Sequence, residues 1–177
     1  MTVAHVFSAV LGMGAALSMD VLFHFYSADR KLTRGELRTF SILSRVVWYG
    51  IFAIATTGFG MFLSAPARYL VSVKFVSKMT IFAVLVINGV VVHFLVQRHF
   101  VRAGFFTSLR EKAARHVAFL CGAISVVSWM SILTLGVMDS VSMSYGGVMA
   151  AYGAIVCVAC VASLAIEYAK FERSLRL

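Results

Sequence analysis

The fold of this chain is decided by residues 81–92, which read IFAVLVINGVVV. Apolar side chains fill nearly every position, whereas a strand of a membrane barrel alternates apolar and polar residues over about ten positions. Apolar neighbours extend the stretch to about residues 76–97, and about 20 such residues are enough for a helix to cross the hydrocarbon core. The stretch therefore predicts a transmembrane helix that carries one amide, Asn88, near its middle.

Four further apolar stretches predict four more membrane-spanning helices, at about residues 3–25, 39–63, 116–138 and 146–168. Hydrophobic residues make up 61% of the chain and charged residues 13%, whereas a soluble domain has roughly 45–50% and about 25%. This composition excludes a soluble globular domain, and it equally excludes a disordered chain. We therefore predict an all-α, polytopic integral membrane protein, in which residues 1–177 form a single bundle of five transmembrane helices.

The lysines and arginines predict the orientation of the bundle. Twelve of the 16 lie in the first and third predicted loops and in the C-terminal tail, while Arg68, Lys74 and Lys78 lie at the opposite ends of the helices. Because cytoplasmic loops carry an excess of basic residues, the N-terminus is predicted to lie outside and the C-terminus in the cytoplasm. We expect a multi-pass protein of the bacterial inner membrane.

The net charge of +9 follows largely from this topology and favours contact with anionic lipid headgroups. Nucleic-acid binding would need a basic face exposed to water, which such a bundle does not offer, so nucleic acid is not an expected partner. The expected partners are membrane lipids and either a second copy of the chain or a larger membrane complex. Two capping boxes, Thr33–Glu36 and Ser108–Glu111, predict that the second and fourth helices begin in water.

Two opposite charges are predicted to lie inside the membrane. Asp20 lies about 8 Å from the cytoplasmic end of the first span, and Arg45 about 9 Å into the second, at ~1.5 Å per residue. Charged residues at such depths face the bundle and usually pair. We therefore predict an Asp20–Arg45 ion pair. It would either lock the two helices together or serve as a proton or anion relay.

Histidines are predicted to gather at the cytoplasmic end of the bundle. His24 shares a helix face with Asp20, and His93 lies near the cytoplasmic end of the third span. Because neutral imidazole is a good ligand for haem iron and other metals, His24 and His93 are candidate ligands of a haem b. Arg45 would then contact the haem propionates, since guanidinium suits carboxylates. The alternative is that both histidines hydrogen-bond to loops or headgroups at the membrane interface.

The other polar residues of the spans have simpler interpretations. Asn88 must find a partner on another helix. Cys157 and Cys160 have CxxC spacing on one helix face, which suits thiol exchange or copper, although cysteine is also a small apolar residue of buried helices. Glu167 lies near a span end and is expected at the interface. No P-loop, zinc-protease or nucleophile-elbow motif is present in the sequence.

Residues 4–95 resemble the small HemJ-type membrane proteins and their CopD-like relatives. The resemblance is carried by Ala4-His5-Val6 before a glycine-rich run, by residues 21–24, and by residues 74–79 at the start of the third span. HemJ-type proteins convert protoporphyrinogen to protoporphyrin and carry haem. The resemblance implies that His5 and Lys78 hold catalytic positions, and that His5 is a further candidate haem ligand. Both residues are predicted near the outer side, where they could meet.

Three functions remain open at this point. The first is a haem-binding membrane protein of redox, electron-transfer or haem-metabolic type, and an oxidoreductase is one form of this function. The second is a small transporter or channel subunit, in which Asp20, Arg45 and Asn88 line a polar path. The third is an accessory subunit of a membrane complex, in which the polar residues serve helix packing alone.

Overall fold

The five predicted transmembrane helices are confirmed in a computed structural model, which describes residues 2–26, 33–97 and 109–172. Each of the five helices is long and apolar enough to cross a membrane, so the chain is a multi-pass membrane protein. Between the second and third spans lies a short additional helix. The elements are α1 (Thr2–Tyr26), α2 (Arg34–Ser64), α3 (Pro66–Leu70), α4 (Val73–Val91), a π-helical segment (Val92–Gln97), α5 (Leu109–Val137) and α6 (Tyr145–Glu172).

The start of α2 has the capping box that the sequence predicts. The backbone N–H of Glu36 donates to Oγ1 of Thr33 at 3.3 Å, and the N–H of Thr33 donates to Oε2 of Glu36 at 2.6 Å. These bonds satisfy backbone donors that have no partner within the helix. At the other end α2 stops at Ser64, because Pro66 cannot continue the hydrogen-bond ladder and begins α3 instead. The predicted second box includes Ser108, which lies outside the described residues.

Helices α1 and α2 form a tight antiparallel hairpin at a pair of glycines. A Cβ atom built on Gly50 would lie 2.5 Å from Cα of Gly12, so the two backbones touch where neither residue has a side chain. Small residues allow this close approach in membranes, where helices associate through packing and not through the hydrophobic effect. The ring of Trp129, from α5, closes the same contact from the side, since a Cβ on Gly12 would lie 2.9 Å from its Cη2.

Helix α5 lies at the centre of the bundle and contacts α1, α4 and α6. Trp129 of α5 is 2% exposed and packs in one buried cluster with Ala16, Ile51 and Leu85 from α1, α2 and α4. Helix α6 is peripheral, because only 6% of its most apolar 18-residue stretch is buried inside the bundle, against 28% for the corresponding stretch of α5. The hydroxyl of Tyr152 on α6 lies 2.8 Å from Oγ of Ser128 on α5, and the contact is buried.

Candidate functional site

A cavity of about 190 Å³ lies between α1, α2, α4 and α5. Its walls are mainly apolar, and each of the four helices contributes at least one polar or aromatic side chain. A concave, mostly apolar site with a few polar groups is the usual form of a small-molecule site. The lining residues that matter for its chemistry are Asp20, Phe23, Phe40, Ser44, Trp48, Asn88, Cys121, Gly122, Ser125 and Trp129.

Asp20 points from α1 towards α5, into space that a glycine leaves open. A Cβ atom built on Gly122 would lie 3.2 Å from Oδ1 of Asp20. The other carboxyl oxygen, Oδ2, is buried and has no hydrogen-bond partner among the described residues. A buried polar atom of this kind is rare in proteins and calls for an explanation, such as a bound molecule or a functional role.

A second unpartnered polar atom belongs to the same cavity. The Nε1 of Trp129 is buried without an acceptor in the part of the chain that the structure describes. Asp20 and Trp129 thus account for two of the three buried side-chain polar atoms without partners in that part, the third being Oγ of Ser77 outside the cavity. The concentration of unsatisfied groups in one place distinguishes this cavity from an ordinary packing defect.

The amide of Asn88 is partnered, as the sequence predicts for a polar residue in mid-span. Its Nδ2 donates to the backbone carbonyl of Cys121 at 2.9 Å and so joins α4 to α5. An interhelical bond of this type contributes about 0.6–1.7 kcal/mol in a membrane bundle. The bond also fixes the wall of the cavity, because both residues line it.

Aromatic rings form much of the remaining wall. Phe23 and Phe40, from α1 and α2, meet edge to face with their ring centres 6.2 Å apart. Trp48 and Trp129 also line the cavity, and they are the two tryptophans of the whole chain. The ring faces of such residues carry partial negative charge, which favours cations near them.

The predicted Asp20–Arg45 ion pair is not formed. Asp20 faces α5, whereas the side chain of Arg45 is exposed on the outer surface of α2. The reason is helical geometry: Ser44 lines the cavity, and one further residue turns a helix by about 100°. The sequence indicates a similar depth in the membrane for the two residues, but depth alone does not determine which way a side chain points.

The two predicted haem ligands lie away from this cavity. The side chains of His24 and His93 are exposed, and the ring of His93 meets Phe94 edge-on with 5.2 Å between ring centres. The cavity itself does not fit a haem, because it is smaller than the roughly 300–1,000 Å³ of drug-sized pockets and no histidine is among its described lining. In the described ranges no group of three or more His, Cys, Asp or Glu side chains could hold a metal ion. Haem or metal binding by His24, His93 and Arg45 stays a prediction.

His5 and Lys78, the two residues selected by the resemblance, both lie at the other end of the bundle. The Nδ1 of His5 is 2.9 Å from Oγ1 of Thr57, and the ring lies over Gly58, where a Cβ would come within 3.2 Å of Cε1. Lys78 lies near the start of α4, at the same end of the bundle as His5 at the start of α1. A catalytic role of the two residues stays a prediction.

One buried ionic group was not predicted from the sequence. Glu167 is 1% exposed, and its Oε1 accepts from Nε of Arg115 at 2.5 Å. The Nε2 of His116 lies 3.2 Å from the other carboxylate oxygen. The bridge joins α5 to α6, and its partners are 52 residues apart, so no local sequence signal indicates it.

The CxxC pair lies on the peripheral helix α6. All three cysteines are free thiols; Cys157 is exposed and Cys160 half-buried, while Cys121 is buried in the cavity wall. This placement matches the use of cysteine as a small apolar residue. Comparison with protein-family models, curated proteins and solved structures gives no match to this chain.

Proposed function

We propose that this protein binds a small organic molecule inside the membrane, in the cavity beside Asp20, and acts as a small transporter or a subunit of one. The observation that carries the proposal is the unpartnered Oδ2 of Asp20 in an apolar cavity. A buried polar group without a partner destabilises the protein by about 1–3 kcal/mol. A bound molecule that hydrogen-bonds to it would recover that free energy.

The arrangement of the helices supports this proposal over a purely structural role. A carboxyl group that served packing alone would be expected to bond to a neighbouring helix, as Asn88 does with the carbonyl of Cys121. Asp20 instead lies opposite a glycine. Stability is often reduced at binding sites in this way, because the site is complementary to its ligand and not to itself.

Fluorescence quenching tests the proposal, because both tryptophans of the chain line the cavity. The probe is 4-bromotoluene, a single-ring compound whose bromine quenches indole fluorescence. We expect saturable quenching in detergent-purified protein, whereas partition into micelles alone gives quenching that rises without saturation. Failure of this probe, and of its hydroxyl and amino analogues introduced below, to give saturable quenching in the parent protein overturns the proposal.

Two leucine substitutions on α5 provide a matched comparison. Gly122→Leu places a side chain in the cavity and should abolish the saturable component, since a Cβ there already approaches Asp20 within 3.2 Å. Gly136→Leu should leave it unchanged, because a Cβ at that position meets nothing within 4 Å. Equal behaviour of the two variants would contradict the assignment of the site.

The haem hypothesis is a separate proposal that rests on the family resemblance, which selects His5 and Lys78, both at the same end of the bundle. It does not involve the Asp20 cavity. Its test is the absorption spectrum of the purified protein, described in the Discussion.

A further inference from the structure

The described lining of the cavity contains an acidic side chain and no basic one. Asp20 is an acid, and no lysine, arginine or histidine is among the described residues that line the cavity with it. Arg45 is the base on α2 that the sequence places at a depth similar to that of Asp20, but its side chain is exposed. A carboxylate in apolar surroundings is stabilised by an opposite charge, and the described residues around the cavity do not supply one.

We propose that the molecule held in this cavity is a small organic cation, a protonated amine attached to a single ring or a short alkyl group. The inference rests on the proposed function and specifies its ligand. The ammonium group would donate to the free Oδ2 of Asp20, and such charge-assisted hydrogen bonds are roughly twice as strong as neutral ones.

The aromatic wall supports a cation over other ligands. Four of the lining side chains, Phe23, Phe40, Trp48 and Trp129, are aromatic. Aromatic faces attract organic cations through the ring quadrupole, most strongly where water is excluded. An anion would be repelled by the partial negative charge of the ring faces and by the carboxylate of Asp20.

The size of the cavity suits a small organic molecule, and its lining does not suit calcium or magnesium. A cavity of about 150 Å³ holds one benzene molecule, so about 190 Å³ suits a single ring with a short polar arm. Calcium and magnesium need about six or more oxygen ligands, whereas this wall is mostly apolar and Nδ2 of Asn88 is directed to a carbonyl. The site therefore matches an organic ammonium group and not a hydrated metal ion.

Three probes of one shape test the inference: 4-bromotoluene, 4-bromobenzyl alcohol and 4-bromobenzylamine. They differ only in a methyl, hydroxymethyl or aminomethyl group, and the amine is positively charged at neutral pH. Dissociation constants are measured by tryptophan quenching in the parent protein and in Asp20→Asn. We expect the amine to bind the parent at least tenfold more tightly than either neutral probe, and Asp20→Asn to remove this preference while 4-bromotoluene still binds.

The possible results separate the two proposals. If 4-bromotoluene binds saturably and the amine binds no more tightly than the alcohol, the cation inference is overturned and the proposed binding function stands. If none of the probes binds, both are overturned. If Asp20→Asn does not fold, the comparison of amine with alcohol in the parent protein decides the question alone. An amine preference that persists in folded Asp20→Asn also overturns the inference, because the carboxylate is then not its cause.

Discussion

The carboxyl group of Asp20 on α1 lies against Gly122 on α5, with its Oδ1 only 3.2 Å from where a Cβ of residue 122 would be. A larger residue at this place would fill the space that the acid uses. The contact explains why α1 and α5 can approach with a carboxyl group between them. It also directs Asp20 away from Arg45 and towards the cavity.

The stability of Asp20→Asn distinguishes this arrangement from an ion pair. Because Arg45 is exposed and unlinked to Asp20, the substitution breaks no ion pair and should lower the free energy of unfolding by about 1 kcal/mol or less, as a typical single substitution does. A broken buried ion pair would instead lower it by about 3–5 kcal/mol. Thermal unfolding in detergent measures the difference, with Arg45→Gln as the control. A large loss in each single variant, partly recovered in the double variant, would restore the ion pair.

The glycine contact between α1 and α2 should be sensitive to a single methyl group. Gly50→Ala places a Cβ 2.5 Å from the Gly12 backbone, so the helices must separate, and overpacking of this kind typically costs about 1–3 kcal/mol. Gly14→Ala is the matched control on the same hairpin, since a Cβ there meets nothing within 4 Å. Alanine also favours the helix slightly more than glycine does, so Gly14→Ala should not destabilise the protein. Equal unfolding temperatures for the two variants would show that the crossing is looser than described.

The buried bridge between α5 and α6 predicts strong coupling of Arg115 and Glu167. Arg115→Met alone leaves a carboxylate that is 1% exposed without its main partner, and we expect a loss of about 3–5 kcal/mol. Arg115→Met combined with Glu167→Met removes both charges and should recover much of that loss. The four unfolding free energies of this double-mutant cycle give the coupling. Additive losses would mean that the two residues do not interact.

The haem hypothesis has its own spectroscopic outcome. If His24 and His93 are axial ligands, the purified protein has a Soret band with resolved α and β bands after reduction, and His24→Ala or His93→Ala each removes the low-spin spectrum. If His5 is the ligand instead, only His5→Ala does so. A colourless preparation from cells supplied with a haem precursor contradicts the hypothesis in both forms.

The fold could be predicted from the sequence because hydrophobicity over about 20 residues is a local property. The predicted third span, about 76–97, matches α4 and its π-helical continuation (Val92–Gln97) to within a few residues. The capping box at Thr33 is equally local, since its two partners are three residues apart.

The site could be predicted only in part, because its geometry depends on which way side chains turn between helices. Asp20 and Asn88 stand out in the sequence as polar residues in apolar spans, and both line the cavity. Opposite charge and similar depth on neighbouring helices predict Arg45 as the partner of Asp20, but neither gives the direction of the side chain around the axis of α2. The roles of Gly122 and Glu167 depend on contacts with residues far away in the chain, and no local pattern indicates such contacts.

The most direct test of the central claim is the position of a bound probe. Crystals of the protein grown with 4-bromotoluene would give an anomalous difference map in which bromine is the main scatterer. We predict a bromine peak inside the cavity, between Asp20, Trp48 and Trp129. Bromine peaks confined to the outer, lipid-facing surface of the bundle, with none in the cavity, would contradict the claim that this cavity binds small molecules.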